Sequence, residues 1–313
     1  MSDFMMFSLV PMSVAVIIGM TCALLGNFLV LRRQSLIGDA ISHVALPGIV
    51  VSFLLTGTLA STAMMLGAGV SALVTVVMIE LIRRLGRVEI SAAMGVTFTS
   101  LFAFGVLLLE WSQASGVHLD VEHALYGNLE SLIWFEGVSL ASLFDPVALA
   151  DLPPQLARVA WVGLVVVAFV VIFRRHLVVG SFDPDFAASV RAHPVIVDLL
   201  LVTMVAIAAI AAFEAVGSII VIAMFICPAA AARLMTNRLG AQIAWSQLFA
   251  LISSILGYLL AGQGLIWLGL GFDVSVSAAG MIATISGLIL LGACLFGPQR
   301  RRAGAAVSLS RSG

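Results

Sequence analysis

The sequence contains no lysine, and all 15 of its basic Lys+Arg positions are arginine. A P-loop holds nucleotide phosphates with the lysine of its Gly-Lys-Ser/Thr motif, so this chain does not bind ATP in that way. Schiff-base chemistry on a lysine amine is excluded for the same reason. The chain is therefore neither a P-loop ATPase nor a Schiff-base enzyme.

Charged residues of either sign are scarce. They make up 10% of the 313 residues, whereas 62% are hydrophobic and the mean hydropathy is +1.18. A soluble domain carries about 25% charged residues. Because so much apolar surface cannot be hidden in one water-soluble core, lipid must solvate it. The composition predicts an integral membrane protein in a lipid bilayer, with no nucleic-acid partner.

Cysteine is also rare. The three cysteines, Cys22, Cys227 and Cys294, lie inside apolar runs, and none is spaced as Cys-x-x-Cys. Neither a disulfide framework nor a thiolate metal site is indicated. Packing against neighbouring helices is the expected role of these thiols.

Apolar runs long enough to cross a hydrocarbon core of about 30 Å occur nine times. They predict an all-α, polytopic membrane protein with about nine transmembrane helices. A weaker apolar stretch, 131–149, is interrupted by Glu136, Asp145 and Pro146, and we expect it to be re-entrant or interfacial. The nine runs are 8–31, 36–57, 60–82, 91–110, 158–174, 195–212, 215–236, 244–261 and 276–296.

The arginines orient these runs. If nine helices alternate in direction, every arginine except Arg158 falls on one side of the membrane, which the positive-inside rule makes cytoplasmic. The segment 110–157 has no arginine and seven acidic residues, so we expect it outside. The prediction is a multi-pass protein of the cell (inner) membrane with its N-terminus outside and its C-terminus in the cytoplasm. We expect residues 1–299 to form one membrane domain and 300–313 to form a basic, disordered cytoplasmic tail.

Asp39 and His43 are of residue types that can bind a cation. They are four apart, so on a helix they share one face with Cβ atoms about 6 Å apart. A carboxylate oxygen and an imidazole nitrogen suit Mn²⁺, Zn²⁺ or Fe²⁺. Pro47 lacks the N–H that would bond the carbonyl of His43, and Gly48 makes a helix break easier. Broken helices with free carbonyls are how membrane proteins build cation sites.

Other interpretations of these residues stay open. Asp39 lies near the start of its run and could cap the helix, and His43 could simply pair with Asp39. Ionisable residues are energetically costly in membrane spans, so their presence favours a functional role for Asp39 and His43 over a purely structural one. Pro228 predicts a second helix break. For the span around Pro228, packing at a subunit interface is the favoured role. His118 and His123 are five apart in the acidic outer segment, where solvated loop histidines are favoured over metal ligands.

The run Ser35 to Gly48, SLIGDAISHVALPG, resembles the signature of the manganese/zinc/iron ABC-transporter permeases. The resemblance extends over nearly the whole chain, with five motifs in the family's order. One departure is His193-Pro194, where the family more often has a glycine. The four further motifs are HLDVEHALYGNL at 118–129, SFDPDFAA at 181–188, EAVGSIIVIAMFICPAAAARLM at 214–235 and GFDVSVSAAGMI at 271–282.

This resemblance implies the ABC-importer permease fold and a transport subunit rather than an enzyme. Two permease subunits, identical or paralogous, would form a pathway at their interface, and Asp39 and His43 would contact the ion in transit. An extracellular metal-binding protein would deliver the ion, and two cytoplasmic ATPase subunits would drive transport. No permanently bound cofactor is expected. Manganese is the expected cargo, with zinc and iron as alternatives.

The cytoplasmic connector after the fifth run is a candidate docking element. It begins Asp183-Pro184, an N-cap followed by proline at the first helical position, and it ends before Pro194. This arrangement of an N-cap and flanking prolines predicts a short helix that can dock in a groove on a partner protein. The alternative is a connector with no docking role. The residues expected to dock on the ATPase are Asp183, Pro184, Asp185, Phe186 and Ala187.

Two other functional classes compete with the ABC permease. A proton-coupled secondary metal transporter needs acids deep in several spans. The spans here are nearly free of acids apart from Asp39, Asp198 and Glu214, which lie near span ends. An intramembrane enzyme is disfavoured because the sequence has no His-Glu-x-x-His motif, and Ser42 and His43 are adjacent, so their side chains diverge.

Overall fold

The computed structural model describes residues 2–57, 61–114, 129–137, 142, 144–182, 194–261 and 276–298. Within these residues the chain forms eleven α-helices and one short 3-10 turn, Leu129–Ser131. The helices are α1 (Ser2–Phe7), α2 (Leu9–Leu31), α3 (Ile37–Thr56), α4 (Ser61–Gly86), α5 (Ile90–Ala114), α6 (Pro146–Ala150), α7 (Pro154–Phe182), α8 (Pro194–Val216), α9 (Ser218–Met235), α10 (Leu239–Leu259) and α11 (Ala278–Phe296).

Each of the nine predicted runs corresponds to a helix. In the described part of the chain, eight helices are long and apolar enough to cross a membrane: α2, α4, α5 and α7 to α11. The remaining run corresponds to α3, a 20-residue helix whose fully described part, His43–Thr56, is apolar. The prediction of an all-α, polytopic membrane protein is confirmed.

Two span boundaries differ from the hydropathy pattern. α7 is 29 residues long because Pro154 starts it before the predicted run, and the helix continues through the basic residues to Phe182. α8 and α9 are separated only by Gly217, which has φ 78. Glycine adopts a positive φ without steric cost, so α8 runs on to Val216 and α9 begins at Ser218.

The expected helix breaks at Pro47 and Pro228 are not found. Both prolines lie inside continuous helices, α3 and α9. A proline removes one backbone hydrogen bond, but neighbouring helices can hold the rest of the helix together. Gly48 likewise does not break α3, and its role is close packing against α4.

α2 is the centre of the bundle. It is buried over most of its length and packs against α7, α8, α9 and α10. α9, α10 and α11 pack on one another beside it, whereas α3, α4 and α5 form a second group. α8 contacts α2, α3, α4 and α7, so it joins the two groups.

Among the described residues of the segment 131–149, no helix is long enough to cross a membrane. Its described residues form irregular backbone and α6, and the Trp134 side chain is fully buried. The Trp134 backbone N–H donates to the carbonyl of Met6 at 3.0 Å, and Nε1 donates to the carbonyl of Ala148 at 2.8 Å. These hydrogen bonds hold the segment against the end of the bundle where α2 begins.

Candidate functional site

Asp39 and His43 lie one turn apart on α3, as the sequence predicts. The helix begins at Ile37, and Leu36 is its N-cap residue, without a side-chain hydrogen bond to the helix. Asp39 is therefore the third residue of α3 and not its cap, which disfavours the capping alternative. The side chain of Asp39 is outside the described part of the structure, as are His118 and His123.

The His43 imidazole packs against an aromatic wall on α5. Its ring is stacked on Phe98, with centroids 6.0 Å apart, and meets Phe102 edge to face at 5.6 Å. The side chain is half-buried. A Cβ atom at Gly105 would lie 2.7 Å from Cδ of Pro47, so α5 follows α3 closely along this face. The contacts fix the ring while part of it stays accessible.

α3 also packs on α4 through a direct backbone approach. A Cβ atom at Gly48 would lie 2.2 Å from the carbonyl oxygen of Gly67, and one at Gly67 would lie 2.3 Å from that of Gly48. Oγ of Ser71 donates to the carbonyl of Val44 at 2.7 Å, and Oγ of Ser52 donates to the carbonyl of Ala63 at 2.7 Å. Small residues that let two backbones meet are typical of membrane helix interfaces. The helix that carries Asp39 and His43 is therefore positioned from two sides.

The described side chains, which exclude Asp39, contain no group of three or more His, Cys, Asp or Glu residues able to hold a metal ion.

Arg158 forms an ion pair that the sequence analysis missed. Its Nη1 donates to the Glu214 carboxylate and contacts Sδ of Met65 at 3.0 Å, which links α7, α8 and α4. The side chains of Arg158 and Glu214 are 31% and 22% exposed. Arg158 is the one arginine that the predicted orientation places outside, and the same prediction puts Glu214 at the outer end of its span. That coincidence was the signal in the sequence, but it does not say which acid meets Arg158. In the structure the pairing gives Glu214 a structural partner.

A second ion pair, also missed, lies at the opposite end of the bundle. Nη1 of Arg32 donates to Oδ1 of Asp198 at 2.7 Å, and Nε of Arg32 donates to Oγ of Ser181 at 2.9 Å. Nε2 of Gln34 donates to the same Oδ1 of Asp198 at 3.3 Å. We call Arg32, Gln34, Ser181 and Asp198 the Arg32 cluster. It joins the ends of α2 and α7 to the first turns of α8.

A cavity of about 120 Å³ adjoins this cluster. Glu80, Arg84 and Asp198 supply its polar lining, and aliphatic side chains of α3, α4, α5 and α8 supply the rest. Glu80 is paired with Arg83 and Arg84 within α4. The cavity lies between the helix group of α3 to α5 and the bridging helix α8.

The residues expected to dock on an ATPase, Asp183, Pro184, Asp185, Phe186 and Ala187, lie outside the described residues. The described chain ends on one side of this connector at Phe182, the last residue of α7. It resumes at Pro194, the first residue of α8. The connector therefore joins two helices whose ends belong to the Arg32 cluster region.

Relatives of known name match nearly the whole chain. It is 36% identical over 287 residues to the manganese transport system membrane protein MntD of Bacillus subtilis, which covers 90% of each protein. It is 34% identical over 286 residues to the zinc transport system membrane protein TroD of Treponema pallidum, covering 91% of this chain and 73% of TroD. The manganese import system permease protein ScaB of Streptococcus gordonii is 31% identical over 287 residues, covering 92% of this chain and 90% of ScaB.

The fold is also found in a solved structure, that of PsaBC from Streptococcus pneumoniae in complex with Fab. The similarity has a TM-score of 0.67 at 28% identity and covers 93% of this chain and 92% of that chain. The predicted ABC-importer permease fold is confirmed. Residues 2–297 match the family described as the ABC 3 transport family, and the chain belongs to that family.

Proposed function

We propose that this chain is the permease subunit of an ATP-driven importer of a divalent metal ion. The observation that carries the proposal is the family match over residues 2–297, nearly the full chain. Membership of an ABC family favours ATP as the energy source over the proton-coupled alternative. Manganese is the first expected cargo because MntD and ScaB are named for manganese transport. Zinc, for which TroD is named, and iron are the alternatives.

ATP hydrolysis is assigned to separate cytoplasmic subunits. The chain has no lysine for a P-loop, so the energy must arrive through a contact with another protein. The connector 183–193, beginning with Asp183 to Ala187, is the proposed contact, because it is short, polar at its start and bounded by proline. The other proposed partners are an extracellular metal-binding protein and a second permease subunit.

The ion pathway is assigned to the face of α3 that carries Asp39 and His43. The support is the register of these residues, one turn apart on a helix fixed by contacts with α4 and α5. Across a dimer axis, two such faces would offer two carboxylates and two imidazoles. Oxygen and nitrogen ligands of this kind suit a divalent first-row ion, and transport requires that they hold it only transiently.

The proposed orientation places the N-terminus outside and the C-terminus in the cytoplasm. It puts the Arg32 cluster on the cytoplasmic side and the Arg158–Glu214 pair on the outer side. The support is the positive-inside rule. The orientation is also consistent with the ion pair between Arg158 and Glu214, since Arg158 is the arginine that departs from this rule.

The test is labelled manganese uptake into proteoliposomes that hold this chain with its ATPase subunits and binding protein. We expect uptake with ATP and none with a non-hydrolysable analogue. A protonophore should not abolish uptake, because no proton gradient drives it. Uptake that needs a proton gradient and ignores ATP would contradict the proposal. Competition by unlabelled zinc and iron in the same assay ranks the three cargo ions.

A further inference from the structure

The Arg32 cluster occupies a specific place relative to the connector 183–193. Ser181 lies two residues before the connector, near the end of α7, and Asp198 lies five residues after it, in the second turn of α8. Arg32 bonds to both, at 2.9 Å and 2.7 Å. One guanidinium therefore holds the described helix ends on both sides of the connector.

The same cluster also reaches the start of α3. Gln34 donates to the Asp198 oxygen that Arg32 uses, at 3.3 Å, and the backbone N–H of Ile37 donates to the carbonyl of Gln34 at 3.0 Å. Ile37 is the first residue of α3, two residues before Asp39. A continuous set of hydrogen bonds thus runs from the two ends of the connector to the helix assigned to the ion pathway.

Burial makes these bonds costly to break. The Arg32 side chain is 7% exposed and that of Asp198 is 22% exposed. Nη2 of Arg32 is buried without a hydrogen-bond partner among the described residues, and a Cβ atom at Gly180 would lie 3.3 Å from it. A buried charge that loses its partner is strongly unfavourable. The guanidinium must therefore move together with the end of α7 and the start of α8.

We infer that Arg32 is a positioning residue that couples the ATPase contact at 183–193 to the ion pathway on α3. Displacement of the connector moves Ser181 and Asp198, and Arg32 and Gln34 pass that movement to the turn between α2 and α3. The inference rests on the proposed function, since it takes the connector as the ATPase contact. It adds a device that is distinct from both the docking residues and the ion ligands.

The test is the number of manganese ions imported per ATP hydrolysed by the reconstituted complex. Ser181→Ala removes the Arg32 contact at α7 and leaves the ion pair with Asp198. We expect the ATPase subunits to co-purify and ATP hydrolysis to continue. Ions per ATP should fall about fivefold or more, because one lost hydrogen bond shifts a conformational equilibrium by about that factor. Ser181→Thr should restore the ratio, because a helical threonine hydroxyl can bond the carbonyl four residues back, as Ser181 does with Leu177 at 2.6 Å.

Arg32→Lys gives the second variant. It keeps a positive charge beside Asp198 but loses the planar fork that reaches two helices, so ions per ATP should fall as in Ser181→Ala. Arg83→Lys is the matched control, because the ion pair of Arg83 stays within α4 and Arg83 is not among the residues that line the cavity beside Asp198. It should leave the ratio unchanged.

The outcomes separate the inference from the proposed function. If the wild-type complex shows no ATP-driven uptake, the proposed function fails and the inference fails with it. If the wild type imports manganese and both Ser181→Ala and Arg32→Lys keep its ratio, the inference alone is overturned. A purely structural role would lower the yield of folded complex, with hydrolysis and uptake falling in parallel and an unchanged ratio. That result also overturns it.

Discussion

The His43 side chain has two separable properties, a flat ring and a nitrogen that can bind a metal. The ring packs on Phe98 and Phe102 of α5. His43→Phe keeps an aromatic ring against that wall and removes the nitrogen. We expect this variant to assemble and unfold as the wild type does. Its manganese uptake should fall at least about tenfold, since even outer-shell changes at metal sites cost that much.

His43→Leu is the companion variant, because it removes both the ring and the nitrogen. Uptake at matched membrane abundance is the measurement, with thermal unfolding in detergent as the check on packing. Wild-type uptake by His43→Phe, with a loss confined to His43→Leu, would show that the residue serves packing alone.

Pairings between residues could be predicted only in part. The spacing of Asp39 and His43 was read correctly because helix register is local. Arg158 with Glu214 and Arg32 with Asp198 were missed, since each joins residues that are far apart in sequence. The sequence offered two signals: Arg158 is the exception to the positive-inside rule, and acids are rare at span ends. Neither signal says which acid meets which arginine before the helices are packed.

At the scale of helices, the crossing of α3 and α4 positions the proposed pathway. Gly67→Ala places a Cβ atom 2.3 Å from the carbonyl oxygen of Gly48, so the two helices must separate. We expect a loss of about 1–3 kcal/mol in stability from overpacking and lower uptake per folded complex. Thermal unfolding and manganese uptake are the two measurements.

Gly69→Ala is the matched control on the same helix. No atom lies within 4 Å of a Cβ built there, so the change should be neutral, or stabilising by up to about 1 kcal/mol through helix propensity. Equal effects of the two substitutions would refute a special role for the Gly48–Gly67 contact.

The helices themselves were largely predictable because a spanning segment must satisfy its own backbone hydrogen bonds, which makes long apolar runs helical. Helix ends were less predictable. Hydropathy ended the fifth run near Arg174, but the backbone continues as helix to Phe182, since basic side chains do not stop a helix. The expected breaks at Pro47 and Pro228 were wrong because packing holds both helices continuous.

For the whole molecule, the topology is a prediction with a direct check. In a background where Cys22, Cys227 and Cys294 are replaced by alanine, a single cysteine is placed at Ser115 or at Ser189. A membrane-impermeant thiol reagent applied to intact cells should modify the probe at Ser115 and spare the probe at Ser189, because arginine-rich loops face the cytoplasm. The reverse pattern would overturn the orientation.

The assembled importer allows the most direct test of the ion pathway, which is manganese uptake by Asp39→Asn. Asparagine keeps the shape of the side chain and removes its charge. If Asp39 serves only the first turn of α3, the change costs about 0.3–1 kcal/mol through the helix dipole, and uptake at matched membrane abundance is retained. If Asp39 contacts the ion, the variant inserts and assembles normally but loses uptake. We predict that loss, and wild-type uptake by Asp39→Asn would contradict the assignment of the pathway to α3.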